Sequence, residues 1–186
     1  MIAPVDQAAA RAFALVGPSG AGKDTLLAVA KAARPDLLLA RRVITRPSEA
    51  GGEDFEGVSN AEFDARRPEF ALTWAAHGLR YAIPASLRAA QCAGRTVIFN
   101  GSRGMLAEAA RAFAPLSVIA LEAAPEVLAA RLAARGREDA ADIRARLARA
   151  DLSLPELPGV PVHRIDNSGD LGAAVAALLA VLDRGR

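Results

Sequence analysis

Cysteine is all but missing from this chain of 186 residues: Cys92 stands alone, so no disulfide within the chain can staple the fold. The length is enough for a single α/β domain to stand on one hydrophobic core. Long apolar runs are missing as well. None approaches the roughly 18 residues that a membrane span requires. Asp6 and Arg11 break up the N-terminal stretch where a secretory signal would place its apolar segment. Histidine is reduced to His77 and His163, and neither has a triad or metal-ligand partner at a recognisable spacing, so structural roles are expected of both. Excess charge of either sign is absent. The 23 Lys and Arg against 21 Asp and Glu leave a net charge of +2, which gives no footing for nucleic-acid binding. No internal repeat and no low-complexity linker is found. These absences lead us to expect a soluble, disulfide-free, cytoplasmic protein with no nucleic-acid and no membrane partner. It is expected to act as a monomer or homodimer. Lysine is scarce too, since only Lys23 and Lys31 are present, and one of them falls in the most informative motif of the chain.

That motif is Gly17-Pro18-Ser19-Gly20-Ala21-Gly22-Lys23-Asp24-Thr25, which follows the apolar run 12–16 and opens an Ala/Leu-rich helical run over 25–33 that ends at Arg34-Pro35. Closely spaced glycines let backbone N–H groups curl around phosphate oxygens, and the following helix adds its positive end. A lysine in register reaches the outer phosphates. Strand, loop and helix therefore predict a nucleotide triphosphate grip at residues 17–25. One position departs from the usual pattern: the Ser or Thr that follows the lysine and ligates Mg²⁺ is here Asp24. Either Asp24 holds the cation through water or it faces the acceptor, with Thr25 supplying the nearby hydroxyl.

Further along, 37–44 reads as a second strand around Arg41 and Arg42. The stretch 45–77 lacks a long period, carries Gly51-Gly52 and Gly57, and holds a short helix from Ser59 with Glu62 completing a capping box. A helix is expected over 84–93 and a buried strand over 96–99, ending at Asn100-Gly101-Ser102-Arg103. A further helix runs to about 113, then a strand over 116–121 and a helix from Pro125 to Arg135-Gly136. Residues 139–150 read as helix, 162–165 as strand and 171–182 as a closing amphipathic helix. Strands alternating with helices predict an α/β fold: a parallel sheet covered on both faces by helices. We expect one domain, with a core of about 8–44 and 94–186, an acceptor-binding insert of about 45–93 and a lid of about 131–150.

Arginines at the end of the second strand and just after it, Arg42 and Arg46, suit a phosphate-bearing acceptor, because guanidinium forks bind phosphate bidentately. The alternative is a solvated edge. The series Arg131, Arg135, Arg137, Arg144, Arg146 and Arg149 either closes over donor phosphates about Gly136 or forms an exposed face paired with Glu138, Asp139 and Asp142. Asn100, Ser102 and Arg103 follow a buried strand, where open α/β sheets place ligand contacts. Asn100 either faces the ligand or caps the next helix. Trp74 and Tyr81 either flank the acceptor or pack in the core or lid.

Taken together, GPSGAGKDT, the ITRP segment, GEDFEGVSNAEF, FALTWAAHGLRY and RLAARGRE followed by IRARL resemble the guanylate-kinase-like branch of P-loop nucleotide kinases over nearly the whole chain. The guanine-reading positions differ from that pattern: Thr73 precedes Trp74 where a Glu is usual, Pro84 stands where a Ser is usual, and Phe55 lies near the expected Tyr. The further combination GPSGxGKD, RxxITR, GLxY, NGSRG and RGRE with ARLAR is similar to the ribose 1,5-bisphosphate phosphokinases, a group within this branch associated with bacterial phosphonate breakdown. Val43, Arg80 and Ala82 depart from that group's more typical Tyr, Tyr and Gly.

The resemblance implies ATP-dependent phosphorylation, with Mg²⁺, of ribose 1,5-bisphosphate to 5-phosphoribosyl 1-diphosphate and ADP. In that setting residues 17–25, Arg137 and Asn167 are expected at the ATP and Asp24 and Thr25 at the cation. Lys23, Arg135 and Arg146 are expected to act on the transferring phosphoryl group, and Arg42, Arg46, Tyr81, Asn100, Ser102 and Arg103 at the sugar bisphosphate. Two rival readings are a nucleoside monophosphate kinase of altered base preference and a non-catalytic binding module of guanylate-kinase-like shape.

Overall fold

The computed structural model describes residues 11–48, 53–134, 143, 147 and 153–184. Its centre is β1 (Ala12–Val16), a strand whose five residues are all buried. A strand covered on both faces must be apolar throughout, which is why this run shows no alternation. β1 pairs in parallel with β7 (Val97–Asn100) on one side and β8 (Leu116–Glu122) on the other. β2 (Leu38–Leu39) and β9 (Val162–Asp166) complete a parallel sheet in the order β2-β7-β1-β8-β9.

The two faces of this sheet are read out by residue parity. Phe13 and Leu15 point with Ile98, Ile119, Leu121 and Ile165 into one cluster, filled by Leu26, Leu27 and Ala30 of α1 (Lys23–Ala33) and by Ala174, Leu178 and Leu182 of α6 (Leu171–Asp183). Ala12, Ala14 and Val16 point the other way with Val97, Phe99 and Val118. There they meet Leu87 of α3 (Ala85–Cys92) and Leu106 and Ala109 of α4 (Leu106–Ala112). Helix boundaries follow local chemistry. Pro125 begins α5 (Pro125–Ala134), and Asp170 caps α6 by accepting from the Ala173 N–H at 3.0 Å.

A second sheet, of order β4-β3-β6-β5, is built from β3 (Arg42–Ile44), β4 (Phe55–Gly57), β5 (Phe70–Ala76) and β6 (Leu79–Pro84). It holds α2 (Asn60–Ala65), where Ser59 and Glu62 form the expected capping box. β5 and β6 meet through His77-Gly78, whose φ values of 52° and 73° match the two left-handed residues of a tight hairpin turn. Leu72 and Ile83 of this sheet are packed into the second core cluster, so the two sheets share apolar contacts.

One expected strand is divided. Residues 37–44 do not form a single strand: Leu38–Leu39 pairs with β7, whereas Arg42–Ile44 pairs with β4 and β6 in the other sheet. The Ala40 N–H still bonds the Ile98 carbonyl at 2.9 Å, and the chain changes sheets across Arg41, which is exposed. Two adjacent arginines cannot enter a doubly covered parallel sheet without burying charge, so the chain leaves it there.

Candidate functional site

The loop 17–22 leaves the C-terminal end of β1 at the middle of the parallel sheet, where ligands of open α/β sheets bind. Its path depends on two kinds of glycine. A Cβ on Gly17 would stand 2.4 Å from the Leu121 carbonyl oxygen, so only glycine lets the loop pass β8. Gly20 and Gly22 have φ values of 88° and 89°, which L side chains rarely adopt. Gly22 is also the N-cap of α1, and no side chain caps that helix end. The first-turn N–H groups, together with the helix dipole, therefore make an anion site.

Lys23 folds back over this loop, its Nζ donating to the Gly17 carbonyl at 2.8 Å and to the Pro18 carbonyl at 3.0 Å. The loop is braced from β9. Asn167 is buried and donates its Nδ2 to the Ala21 carbonyl at 2.7 Å. Its own N–H bonds the Glu122 carbonyl at 2.8 Å. Beside it, the side-chain and backbone hydrogen bonds from Ser168 hold the Asp166 carboxyl below the usual carboxylate range. The Ser168 hydroxyl in turn accepts from the Ala124 N–H at 2.8 Å. Arg131 of α5 places Nη1 3.5 Å from the Gly20 carbonyl.

The opposite wall comes from the second sheet. Arg42 on β3 is clamped by Glu53, with Nε donating to Oε2 at 2.8 Å and Nη2 to Oε1, and its Nη1 donates to the Asn100 carbonyl at 3.3 Å. Trp74 and Tyr81, paired across β5 and β6, stack with ring centroids 5.2 Å apart and planes 9° from parallel. The Arg42 guanidinium lies 5.2 Å from the Tyr81 ring centroid and 6.0 Å from that of Trp74. Between the walls, Asn100 ends β7 and donates its Nδ2 to Asp24 Oδ1 at 2.8 Å.

One cleft thus gathers the loop 17–20 with Gly22, Lys23 and Asp24 on one side and Arg42, Trp74 and Tyr81 on the other. Asn100, Ser102 and Arg103 lie at its base. Several expected residues stand elsewhere. Thr25 lines an adjoining hollow at the start of α1, with Arg41, Glu53 and Asp54, which meets the cleft at Asp24 and Asn100. Arg46 is outside the residues lining the cleft, its guanidinium 4.2 Å from the Phe55 ring centroid. Asn167, expected beside the donor, does not line the cleft and donates to the loop carbonyl of Ala21. Arg135, Arg137 and Arg146, with Arg144 and Arg149, lie outside the described residues. Leu147, which is described, borders the cleft.

Sequence reasoning missed Glu53 as the partner of Arg42 and missed the bond between Asp24 and Asn100. The first pair is 11 residues apart and the second 76, so no local period joins them.

No protein-family model matches the chain. The chain is 49% identical, over the full length of both proteins, to the ribose 1,5-bisphosphate phosphokinase PhnN of Ruegeria sp. (strain TM1040). It is 48% identical to the protein of the same name from Pseudomonas paraeruginosa (strain DSM 24068 / PA7), covering 92% of this chain and 95% of that one. A bifunctional ribose 1,5-bisphosphokinase-thymidine phosphorylase of Cupriavidus necator is 46% identical over 93% of this chain, which spans 29% of that longer protein. Among solved structures, a guanylate kinase from Anaplasma phagocytophilum superposes with a TM-score of 0.60 at 18% identity, over 95% of this chain and 86% of that one. A gluconokinase from Sinorhizobium meliloti gives 0.51 at 19% identity, over 95% and 93%. At such identities these two neighbours speak for the fold alone, and both share the parallel-sheet kinase architecture.

Proposed function

The chain belongs to the ribose 1,5-bisphosphate phosphokinase family, and we propose that it transfers the γ-phosphoryl group of ATP to the 1-phosphate of ribose 1,5-bisphosphate, giving 5-phosphoribosyl 1-diphosphate and ADP. The observation that carries this reading is the composition of the cleft. It keeps a phosphate grip on both walls, Lys23 with its glycine loop and Arg42 opposite, with Arg103 at the base. The chain has Thr73 and Pro84, neither of them lining the cleft, where the guanylate-kinase pattern has its guanine-binding carboxylate and hydroxyl. A pocket without those polar groups loses the discrimination that buried hydrogen bonds supply. An acceptor with phosphates and no base fits what is left.

In the reaction, an oxygen of the acceptor's 1-phosphate forms the new bond to the γ-phosphorus as the bond to the ADP oxygen breaks. The nucleophile is already an anion at neutral pH, so no general base is needed from the protein. Positioning and charge neutralisation supply the catalysis. The loop amides and the N-terminus of α1 hold the donor phosphates, and Lys23 exchanges its carbonyl partners for the phosphoryl oxygens on which charge develops. Arg42 and Arg46 hold the acceptor phosphates, with Tyr81, Ser102 and Arg103 around the sugar. Arg135, Arg137 and Arg146 are proposed to bear on the ATP and the transferring phosphoryl group.

Among the described residues, no group of three or more His, Cys, Asp and Glu is placed to hold a metal ion by itself. The donor set fits Mg²⁺ all the same, because this cation is commonly bound by one or two protein oxygens with the remainder from phosphates and water. Asp24 and Thr25 are the residues that would hold it. When bound, it neutralises charge on the nucleotide phosphates.

The protein is proposed to work in the cytoplasm on small molecules alone, as a monomer or homodimer. Its exposed free thiol, Cys92, suits a reducing compartment, and no helix among the described residues is long and apolar enough to cross a membrane. The test is ADP release from ATP and Mg²⁺ in the presence of ribose 1,5-bisphosphate, ribose 5-phosphate or each nucleoside monophosphate, with the product identified by phosphorus NMR. Turnover dependent on ribose 1,5-bisphosphate, with a new diphosphate signal, is expected. Faster turnover with a nucleoside monophosphate would establish the base-reading rival, and background ADP in every tube would establish the binding module.

A further inference from the structure

P-loop enzymes generally hold their cation with a hydroxyl just after the loop lysine and a carboxylate from the end of a strand. This chain carries a carboxylate at the loop position and none at the strand end. Position 24 is a carboxylate, and Asn100, at the end of the strand beside β1, is a neutral amide. The two side chains meet, Asn100 Nδ2 donating to Asp24 Oδ1 at 2.8 Å. We propose that the cation's carboxylate has moved from strand to loop: Asp24 supplies it, and Asn100 is the positioning residue that fixes it. This rests on the reading of the cleft as a phosphoryl-transfer site.

Three observations support the move. The first is placement. β7 runs parallel to β1 with Leu15 opposite Asn100, and the Gly101 N–H bonds the Leu15 carbonyl at 2.9 Å. Asn100 therefore leaves the sheet next to the point where β1 becomes the glycine loop. The second is that the Asn100 side chain is not spent on the next helix: Ser102 is the N-cap of the 3₁₀ turn Arg103–Met105, and no side chain caps it. Asn100 is 5% exposed, and its carbonyl accepts from Arg42, so both ends of the residue are held. The third is chemical complementarity. An ionised carboxylate accepts only, so an Asp at 100 would face Asp24 with no donor between them and with like charges in contact. An amide at 100 donates to Asp24 and brings no further negative charge against it. Asp24 therefore demands a neutral donor at 100, and a hydroxyl at 24 would permit a carboxylate there.

The chain Glu53, Arg42, Asn100, Asp24 further ties the second sheet to the start of α1. An acceptor that shifts Arg42 thus acts on the residue that orients the cation carboxylate.

The experiment measures Mn²⁺ binding by electron paramagnetic resonance, with a non-hydrolysable ATP analogue present, for the full-length protein and four variants: Asp24→Ser, Asp24→Asn, Asn100→Asp and Asp24→Ser/Asn100→Asp. Thermal melting checks that each is folded. Asp24→Ser and Asp24→Asn are expected to lose tenfold or more in Mn²⁺ affinity and the double variant to regain most of the loss of Asp24→Ser. Asn100→Asp, which sets two carboxylates together, is expected to melt lower without Mn²⁺ than with it. A double variant that binds Mn²⁺ no better than Asp24→Ser would overturn the move. Asp24→Asn keeps a hydrogen-bonding partner for Asn100 and removes only the charge, so it decides the matter if the double variant does not fold, and unchanged Mn²⁺ affinity in it would equally overturn the proposal. No acceptor enters this titration, so its failure is separate from a failure to turn over ribose 1,5-bisphosphate.

Discussion

The Nδ2 atom of Asn167 stands 2.7 Å from where a Cβ on Gly22 would lie, so the brace on the phosphate loop occupies the space that any side chain at position 22 would need. The two residues arrive from opposite ends of the chain. Asn167 is buried against the loop, donating to Ala21, and Gly22 has φ of 89°. Neighbour and backbone therefore forbid the same substitution for independent reasons.

Gly22→Ala is accordingly expected to cost about 1–3 kcal/mol from the left-handed backbone alone, and to displace Asn167 besides. Its signature is a raised KM for ATP together with a lower Tm. A melting curve and ATP saturation kinetics check this, and a variant indistinguishable from the wild type in both would show that the loop repacks freely.

Lys23→Ala is expected to leave the fold close to its original stability while lowering kcat by roughly 10²–10³-fold or more, the scale on which removal of a charge-stabilising donor acts. Lys23 is partly buried, donates to the loop carbonyls of Gly17 and Pro18, and belongs to neither apolar cluster of the parallel sheet. Comparing kcat with the unfolding midpoint separates the two effects. A near-normal kcat removes Lys23 from the chemistry.

Arg42→Ala removes the partner of Glu53 in a pair whose side chains are 11% and 16% exposed. Leaving that carboxylate unpaired behind the cleft wall is expected to cost about 1.5–3 kcal/mol and to repel the acceptor phosphate. Adding Glu53→Gln should restore most of the Tm without restoring the acceptor KM. Recovery of both in the double variant would mean that Arg42 serves structure alone.

Arg46→Ala is expected to raise the acceptor KM by about tenfold or more, the worth of one charge-assisted hydrogen bond, with kcat changed much less. Arg46 sits over Phe55 rather than in the cleft wall, so its action on the acceptor requires the second sheet to move toward the loop. Small-angle scattering with and without acceptor tests that closure in the same protein. An unchanged acceptor KM contradicts the role.

His163 on β9 is held below the usual imidazole range by burial, with repulsion from Arg184 and Arg11 added. The folded state therefore binds fewer protons than the unfolded state near the unfolded pKa of about 6.5. Its contribution to stability is present above that pH and is lost as the pH falls from there through the lowered folded pKa. His163→Gln should flatten the decline of Tm between about pH 7.5 and about pH 5.5. An identical decline in both proteins would place the acid sensitivity elsewhere.

Much of the architecture was legible because it is written locally. The apolar run of β1, the glycines and lysine of the loop, Ser59 with Glu62, and Pro125 each act over a few residues, and the structure places strands and helices where those signals fall. The division of residues 37–44 was not legible, because β2 and β3 differ in which distant strand accepts them and not in propensity. The same holds for the clamp of Glu53 on Arg42 and for Asn167, whose hydrogen-bond partner Ala21 is 146 residues away.

By itself, then, the sequence determined that this chain makes a parallel-sheet kinase core with a phosphate-gripping loop, since backbone geometry and helix-end amides depend only on adjacent residues. Only the tertiary structure decided which side chains share the cleft and which serve the loop from behind. Asp24 meets Asn100, Arg42 meets the stacked Trp74 and Tyr81, and Asn167 turns to the loop, because strand order brings residues far apart in the chain within hydrogen-bond reach. No period in the sequence encodes such a distance.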